Sequence, residues 1–268
     1  MRFLKISLLF FSISAFSQNN FITPFERGNG NQTTTYEECI AFYEKLDESF
    51  ANIQMIHKGT TDSGKPLHLV LFSSEGKFDF DEYFTKNKAV ILINNGIHAG
   101  EPDGIDATMM LMRDLAMGKI KTAKNTLIAA IPVYSVGGML NRNSHSRANQ
   151  NGPEEYGFRG NGRNYDLNRD FIKSDTKNSR SFQKLFTELN PDIFLDNHVS
   201  NGADYQYTFT CIATQHERLG NTLGNYFINE LYPSVVKDMN KKKIDVVSTL
   251  ARMEITADFF FERGNQTA

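Results

Sequence analysis

The sequence predicts an α/β fold with a mixed, largely parallel central sheet and helices on both faces. Short β-branched and apolar runs alternate with helical patterns along most of the chain. One such run, residues 90–93, is apolar at every position, which is typical of a strand that is covered on both faces. With 268 residues, 40% of them hydrophobic, the chain can form a sizeable core in one large domain or two small ones.

The first residues have the pattern of a cleaved secretory signal. Arg2 and Lys5 precede an apolar run over residues 6–16. The run ends in the sequence Ala15-Phe16-Ser17, whose small residues Ala15 and Ser17 are typical of a cleavage site. This run is far shorter than the ~20 residues that span a bilayer, and we expect no stable membrane span. We therefore predict a signal peptide at 1–17 and a secreted or periplasmic mature protein, with an uncleaved N-terminal anchor as the alternative. Residues 18–34 are polar and Gly/Asn-rich, which predicts an extended N-terminal arm.

The regular elements follow in order from residue 35. A first helix is predicted over residues 36–50, because apolar side chains recur there at helical spacing after a capping Thr34 or Thr35. Further helices are predicted at 102–117, 174–189 and 216–240. The predicted strands lie at 52–59, 67–74, 89–95, 126–134, 192–198 and 205–213.

Two of the six histidines lie at the ends of predicted strands, where α/β sheets bind their ligands. His98 follows the strand at 89–95, Glu101 comes three residues later, and His198 closes the strand at 192–198. Two imidazoles and a carboxylate are a ligand set that catalytic zinc accepts, with water in the fourth position. A helix start, which favours acids, explains Glu101 without a metal. The other histidines are interpreted as structural or exposed: His57, His68, His145 and His216.

Residues 156–171 form an arginine-rich and asparagine-rich segment that is too polar for a core. Its arginines are Arg159, Arg163 and Arg169. Guanidinium groups match carboxylates and stabilise oxyanions, so this segment beside a metal indicates an anionic substrate. The alternative is a solvated loop with salt bridges.

Together these motifs resemble the zinc carboxypeptidase family, the M14 metallopeptidases. The resemblance runs over residues 36–212, through "GTTDSGKPLHLV", "GIHAGE", "IPVYSVGG", "RGNGRNYDLNRDF" and "DNHVSNG". It implies a zinc carboxypeptidase-like domain over 35–268 in which His98, Glu101 and His198 bind zinc. It further implies that Asn168 and Arg169 clasp the substrate carboxylate, that Arg159 stabilises the oxyanion, and that Asp166 orients His98 through its other ring nitrogen.

The resemblance implies an exported zinc-dependent carboxypeptidase that hydrolyses C-terminal residues of peptides by metal-activated water. The family takes its general base from a late strand, and Glu254 is the candidate within this chain, with an exposed helical glutamate as the alternative interpretation. We therefore expect a domain that is incomplete at its C-terminus. The alternatives are a zinc-dependent deacylase of N-acyl amino acids and a non-catalytic relative that binds zinc and carboxylates. The net charge of −2 provides no positive field that would attract nucleic acid, so we expect no nucleic-acid partner.

Overall fold

The computed structural model describes residues 21–86, 88–148, 150–200, 207 and 209–248. The predicted signal peptide, the start of the predicted arm, part of the predicted strand at 205–213, and Glu254 lie outside the described residues. Within these ranges no helix is both long enough and apolar enough to cross a membrane.

Five strands form the central sheet in the order β1-β2-β4-β3-β5. Strands β4, β3 and β5 run parallel, whereas β2 is antiparallel to both β1 and β4. The sheet is therefore mixed, as the sequence predicts, and its parallel part lies on one side. The strands are β1 (Ile53–Thr60), β2 (Pro66–Ser73), β3 (Ala89–Asn94), β4 (Thr126–Ile131) and β5 (Ile193–Asp196).

Helices connect and cover the strands of this sheet. Up to β5 they are α1 (Pro24–Arg27), α2 (Tyr36–Ser49), α3 (Phe80–Thr85), α4 (Asp103–Ala116), α5 (Val136–Leu140) and α6 (Lys177–Leu189). Beyond β5 lie α7 (Gly220–Tyr226) and α8 (Tyr232–Lys241), with a π-helical segment, Phe227–Leu231, between them. A small parallel sheet pairs β6 (Phe209–Cys211) with β7 (Val246–Ser248).

Apolar side chains cover both faces of the central sheet. Along β2, Val70 and Phe72 pack into one core with α2 and α4, while Leu69 and Leu71 pack into a second core with α6. Successive side chains of a strand point to opposite faces, so an apolar strand such as β2 requires cover on both. Helices on both faces are thus confirmed.

The prediction of an extended arm over 18–34 is wrong for residues 21–34, which are described in the structure and fold onto helix α4. Thr23 and Glu26 form a reciprocal capping box that starts α1, and the Phe21 side chain is buried. Arg113, on α4, donates to the backbone oxygen of Phe21 at 3.0 Å and to Glu26 Oε2 at 2.6 Å. Because this anchor is distant in sequence, local polarity gave no sign of it.

The parallel register places two strand ends side by side. Asn94, the last residue of β3, is the direct partner of Asp196, the last residue of β5. The loops that follow these strands carry His98 and His198, so strand pairing alone brings the two histidines to one edge of the sheet.

Candidate metal centre

Two histidines and a glutamate meet at the carboxyl ends of β3 and β5. The potential ligand atoms of His98, Glu101 and His198 all lie within 4.8 Å of one another. Nδ1 of His98 is 3.0 Å from Oε1 of Glu101, and Nδ1 of His198 is 2.8 Å from Oε2 of the same carboxylate. Two nitrogens and one carboxylate that converge in this way fit the donor set of a catalytic zinc ion. The structure therefore brings together the three residues that the sequence singles out.

The segments that carry His98, Glu101 and His198 pack closely against each other at two glycines. A Cβ atom on Gly104, in the first turn of α4, would lie 2.4 Å from Cβ of Asn197, the neighbour of His198. A Cβ atom on Gly157 would lie 2.7 Å from Cβ of Ala99, the neighbour of His98. Both distances are too short for real side chains, so the two glycines allow the segments that carry the site to approach each other.

Each imidazole also contacts an aspartate through its second nitrogen. Nε2 of His98 lies 2.9 Å from Oδ1 of Asp166, and Nε2 of His198 lies 2.9 Å from Oδ2 of Asp196. Asn94 donates to the other oxygen of Asp196 at 3.0 Å. Such contacts fix the orientation of a metal-binding imidazole and raise its basicity. Asp166 was predicted from the sequence but Asp196 was not, although the "DNH" spacing places the Asp196 carboxylate two residues before His198.

The carboxylates of the centre are held in their ionised form. Burial alone would raise the pKa of Glu101, but hydrogen bonds with His198 and His98 outweigh it and hold that pKa well below its usual range. Burial likewise opposes ionisation of Asp166, whereas contacts with His98 and Arg159 hold its pKa well below its usual range. Ionised carboxylates are the form that binds a metal or accepts from an imidazole N–H.

Two arginines border the three converging side chains. Arg159 donates from Nε and Nη2 to Oδ2 of Asp166 at 3.2 and 2.8 Å, and its Nη1 lies 3.8 Å from Oε1 of Glu101. Arg147 donates from Nη1 to the same Oε1 at 3.2 Å. Arg159 was predicted from the sequence but Arg147 was not, because Arg147 lies in an irregular polar segment without a recognisable pattern. The oxyanion role of Arg159 stays a prediction.

The pair predicted to clasp a carboxylate lies beside Asp166. The backbone N–H of Asn168 donates to Oδ1 of Asp166 at 3.0 Å, and Arg169 donates to the backbone oxygen of Asn168 at 3.0 Å. The amide Nδ2 of Asn168 is buried and has no hydrogen-bond partner among the described residues. A buried donor without a partner is costly, and an anionic ligand would satisfy it. The guanidinium carbon of Arg163 instead lies over the ring of Tyr165, 5.0 Å from the ring centroid.

Comparison with known proteins gives a family match and a fold match. The family model described as zinc carboxypeptidase, Peptidase_M14, matches residues 39–214, more than half of the chain. No curated protein matches the sequence.

Among solved structures, the chain is similar to carboxypeptidase A from Helicoverpa armigera, with a TM-score of 0.59 and 16% identity over 81% of this chain and 58% of that one. It is also similar to bovine thrombin-activatable fibrinolysis inhibitor in complex with a tick carboxypeptidase inhibitor, with a TM-score of 0.55 and 14% identity over 81% of this chain and 76% of that one. A metallo-carboxypeptidase from Burkholderia cenocepacia gives a TM-score of 0.51 and 14% identity over 70% of this chain and 46% of that one.

At these identities the structural matches show the fold alone. The chain spans about half the length of two of these relatives, 58% and 46%.

Proposed function

Because this chain belongs to the zinc carboxypeptidase family, we propose that it is an exported zinc-dependent carboxypeptidase, which hydrolyses C-terminal residues of peptides. The observation that carries the proposal is the convergence of His98, Glu101 and His198, whose ligand atoms lie within 4.8 Å of one another. The buried Asn168 amide nitrogen and the arginines beside this convergence support an anionic substrate.

The chain's own residues would hold zinc through the atoms that already face one another. These are the Nδ1 atoms of His98 and His198 and the carboxylate of Glu101. Asp166 and Asp196 would keep both imidazoles oriented and basic through their Nε2 atoms. The chemistry that zinc supplies when bound is polarisation of the scissile carbonyl and acidification of a water molecule.

Positively charged and amide groups would position the peptide. Asn168 and Arg169 would bind the terminal carboxylate, because an amide N–H and a guanidinium group both donate to carboxylate oxygens. Arg159 would donate to the carbonyl oxygen as it gains negative charge. Arg147, which lies closer to Glu101, is the second guanidinium group in reach of the same region. The proton acceptor for water is not among these residues, and Glu254, the sequence candidate, lies outside the described part of the chain.

The hydrolytic activity is tested with paired substrates. The zinc-loaded protein is expected to cleave an N-acylated dipeptide with a free C-terminal carboxylate and to leave the matched C-terminal amide intact. Arg169→Gln should raise KM for the free acid, while Arg180→Gln, which removes an exposed guanidinium group bonded to backbone oxygens, should not. Faster cleavage of N-acetyl amino acids would indicate the deacylase instead. Zinc binding without hydrolysis of either substrate would indicate the non-catalytic relative.

Export is proposed from the basic and apolar pattern of residues 1–17 and is tested separately. The chain is expressed with its native leader in a bacterial host, and the N-terminus of the product is read by mass spectrometry. A product outside the cytoplasm that begins near residue 18 is the expected result. A full-length product retained in the cytoplasm or the membrane would contradict it.

A further inference from the structure

A second pair of facing imidazoles lies outside the candidate metal centre, on the antiparallel strands β1 and β2. His57 and His68 are direct cross-strand partners. Their ring centroids are 4.7 Å apart, and their ring planes are inclined at 83°. Directly opposed residues of antiparallel strands project from the same face of the sheet. The two rings therefore meet edge to face, one from each strand.

The pair has a buried member and an exposed member. His68 is 5% exposed, and its ring centroid lies 6.4 Å from that of Tyr36 at the start of α2. His57 is exposed. A small ligand held between the rings would therefore be anchored on the packed side by His68 and would reach solvent beside His57.

The ring nitrogens of this pair are available as ligands. Within the part of the chain that the structure describes, neither His57 nor His68 forms a side-chain hydrogen bond or an ion pair with a carboxylate, and their ring contacts are with each other and with Tyr36. This differs from His98 and His198, whose four ring nitrogens all face carboxylates. A neutral imidazole offers one nitrogen lone pair to a metal ion.

The spacing of the rings fits chelation of one ion. With metal–nitrogen distances of about 2.0–2.1 Å and a near-tetrahedral angle at the metal, two imidazole centroids stand roughly 5 Å apart. The observed 4.7 Å between His57 and His68 is close to this value. The centroids of His98 and His198 in the candidate metal centre have a similar separation, 5.2 Å.

We propose that His57 and His68 form a second metal site, which chelates a divalent transition-metal ion through one nitrogen of each ring. Imidazole suits Zn²⁺, Ni²⁺ and Cu²⁺, and water would complete the coordination. The ion would join β1 to β2 and would bind only when the strands are paired. Binding would therefore stabilise the folded chain, because a ligand that binds only the folded state shifts the folding equilibrium towards it.

The test uses Ni²⁺ as the probe on protein already loaded with one equivalent of zinc. Equilibrium dialysis and metal analysis are expected to find one further equivalent of Ni²⁺ in the wild type, and His57→Gln should weaken its binding at least tenfold. His145→Gln, which removes another exposed histidine, should bind Ni²⁺ as the wild type does. The melting temperature should rise with Ni²⁺ in the wild type and in His145→Gln, and not in His57→Gln.

The site is independent of the proposed peptidase activity. His198→Ala, which removes a ligand of the candidate metal centre, should retain the Ni²⁺ equivalent assigned to His57 and His68. His68→Gln, checked for folding by circular dichroism, should lose it. Equal Ni²⁺ binding by His57→Gln and the wild type, or no binding at millimolar Ni²⁺, would overturn the assignment.

Discussion

The contact between Asp196 and His198 leads to a quantitative prediction for zinc affinity. Oδ2 of Asp196 lies 2.9 Å from Nε2 of His198, and Asn94 holds the other oxygen at 3.0 Å. Asp196→Asn keeps the size of the side chain and replaces a charged acceptor by a neutral one. Charge-assisted hydrogen bonds are roughly twice as strong as neutral ones, and loss of such a carboxylate beside a metal ligand weakens metal binding by about 10- to 100-fold.

This loss corresponds to about 1.4–2.8 kcal/mol of binding free energy. Zinc affinity is measured by competition with a fluorescent chelator at constant pH. Asp238→Asn serves as the control, because Asp238 is an exposed residue on α8 that pairs with Lys241. A change of less than about threefold for Asp196→Asn, in a variant with the wild-type circular dichroism spectrum, would refute an orienting role for this carboxylate, since the expected loss is at least about tenfold.

Three further predictions concern turnover, stability and packing. Arg159→Ala should lower kcat by about 10²-fold with a smaller change in KM, if this arginine stabilises the oxyanion; the same loss in Arg147→Ala and not in Arg159→Ala would transfer the role to Arg147. Burial raises the pKa of Asp106 to about 6, despite hydrogen bonds from Thr33 and Thr34 that lower it. Because the folded-state pKa of Asp106 lies above the ordinary value, ionisation of this residue should cost about 3 kcal/mol of wild-type stability as the pH rises from about 4 to 7. Asp106→Asn should flatten this dependence in urea unfolding at pH 4.5 and 8, and an unchanged slope would contradict the explanation. Gly104→Ala should destabilise the fold by about 1–3 kcal/mol through overpacking against Asn197, and it should weaken zinc binding. A melting temperature equal to that of the wild type would show that Asn197 moves away without cost.

Helices with strong local signals were predicted closely from the sequence. The first predicted helix, 36–50, is α2 at Tyr36–Ser49, and Thr35 caps it with Glu38 as the reciprocal partner. The helix predicted at 102–117 is α4 at Asp103–Ala116. Caps and apolar spacing act within a few residues, so they can be recognised without knowledge of the fold.

Elements that depend on distant contacts were predicted less well. The predicted arm folds because Arg113 contacts Phe21 and Glu26, more than eighty residues earlier in the chain. The helix predicted at 216–240 begins as a 3₁₀ turn and contains a π-helical segment before α8. Strand β7 has three residues and is defined by its pairing with β6, so its own sequence gave too short a signal.

The site shows the same division between local and distant information. His98 and His198 were predicted to meet because both follow strands, and the order of parallel strands makes those strand ends neighbours. Arg147 had no comparable signal. It lies in a loop 46 residues after Glu101, and only the path of that loop brings its guanidinium group to the carboxylate.

The charges around the site give a reason for the order in which ligands would bind. The carboxylates of Glu101 and Asp166 face the guanidinium groups of Arg147 and Arg159, and the carboxylate of Asp196 contacts His198. Carboxylates therefore outnumber guanidinium groups there, and this excess of negative charge favours a cation and disfavours an anion when the imidazoles are neutral. A divalent cation would offset the excess, so the same residues would then accept an anionic peptide terminus more readily. The charge pattern therefore supports binding of metal before substrate.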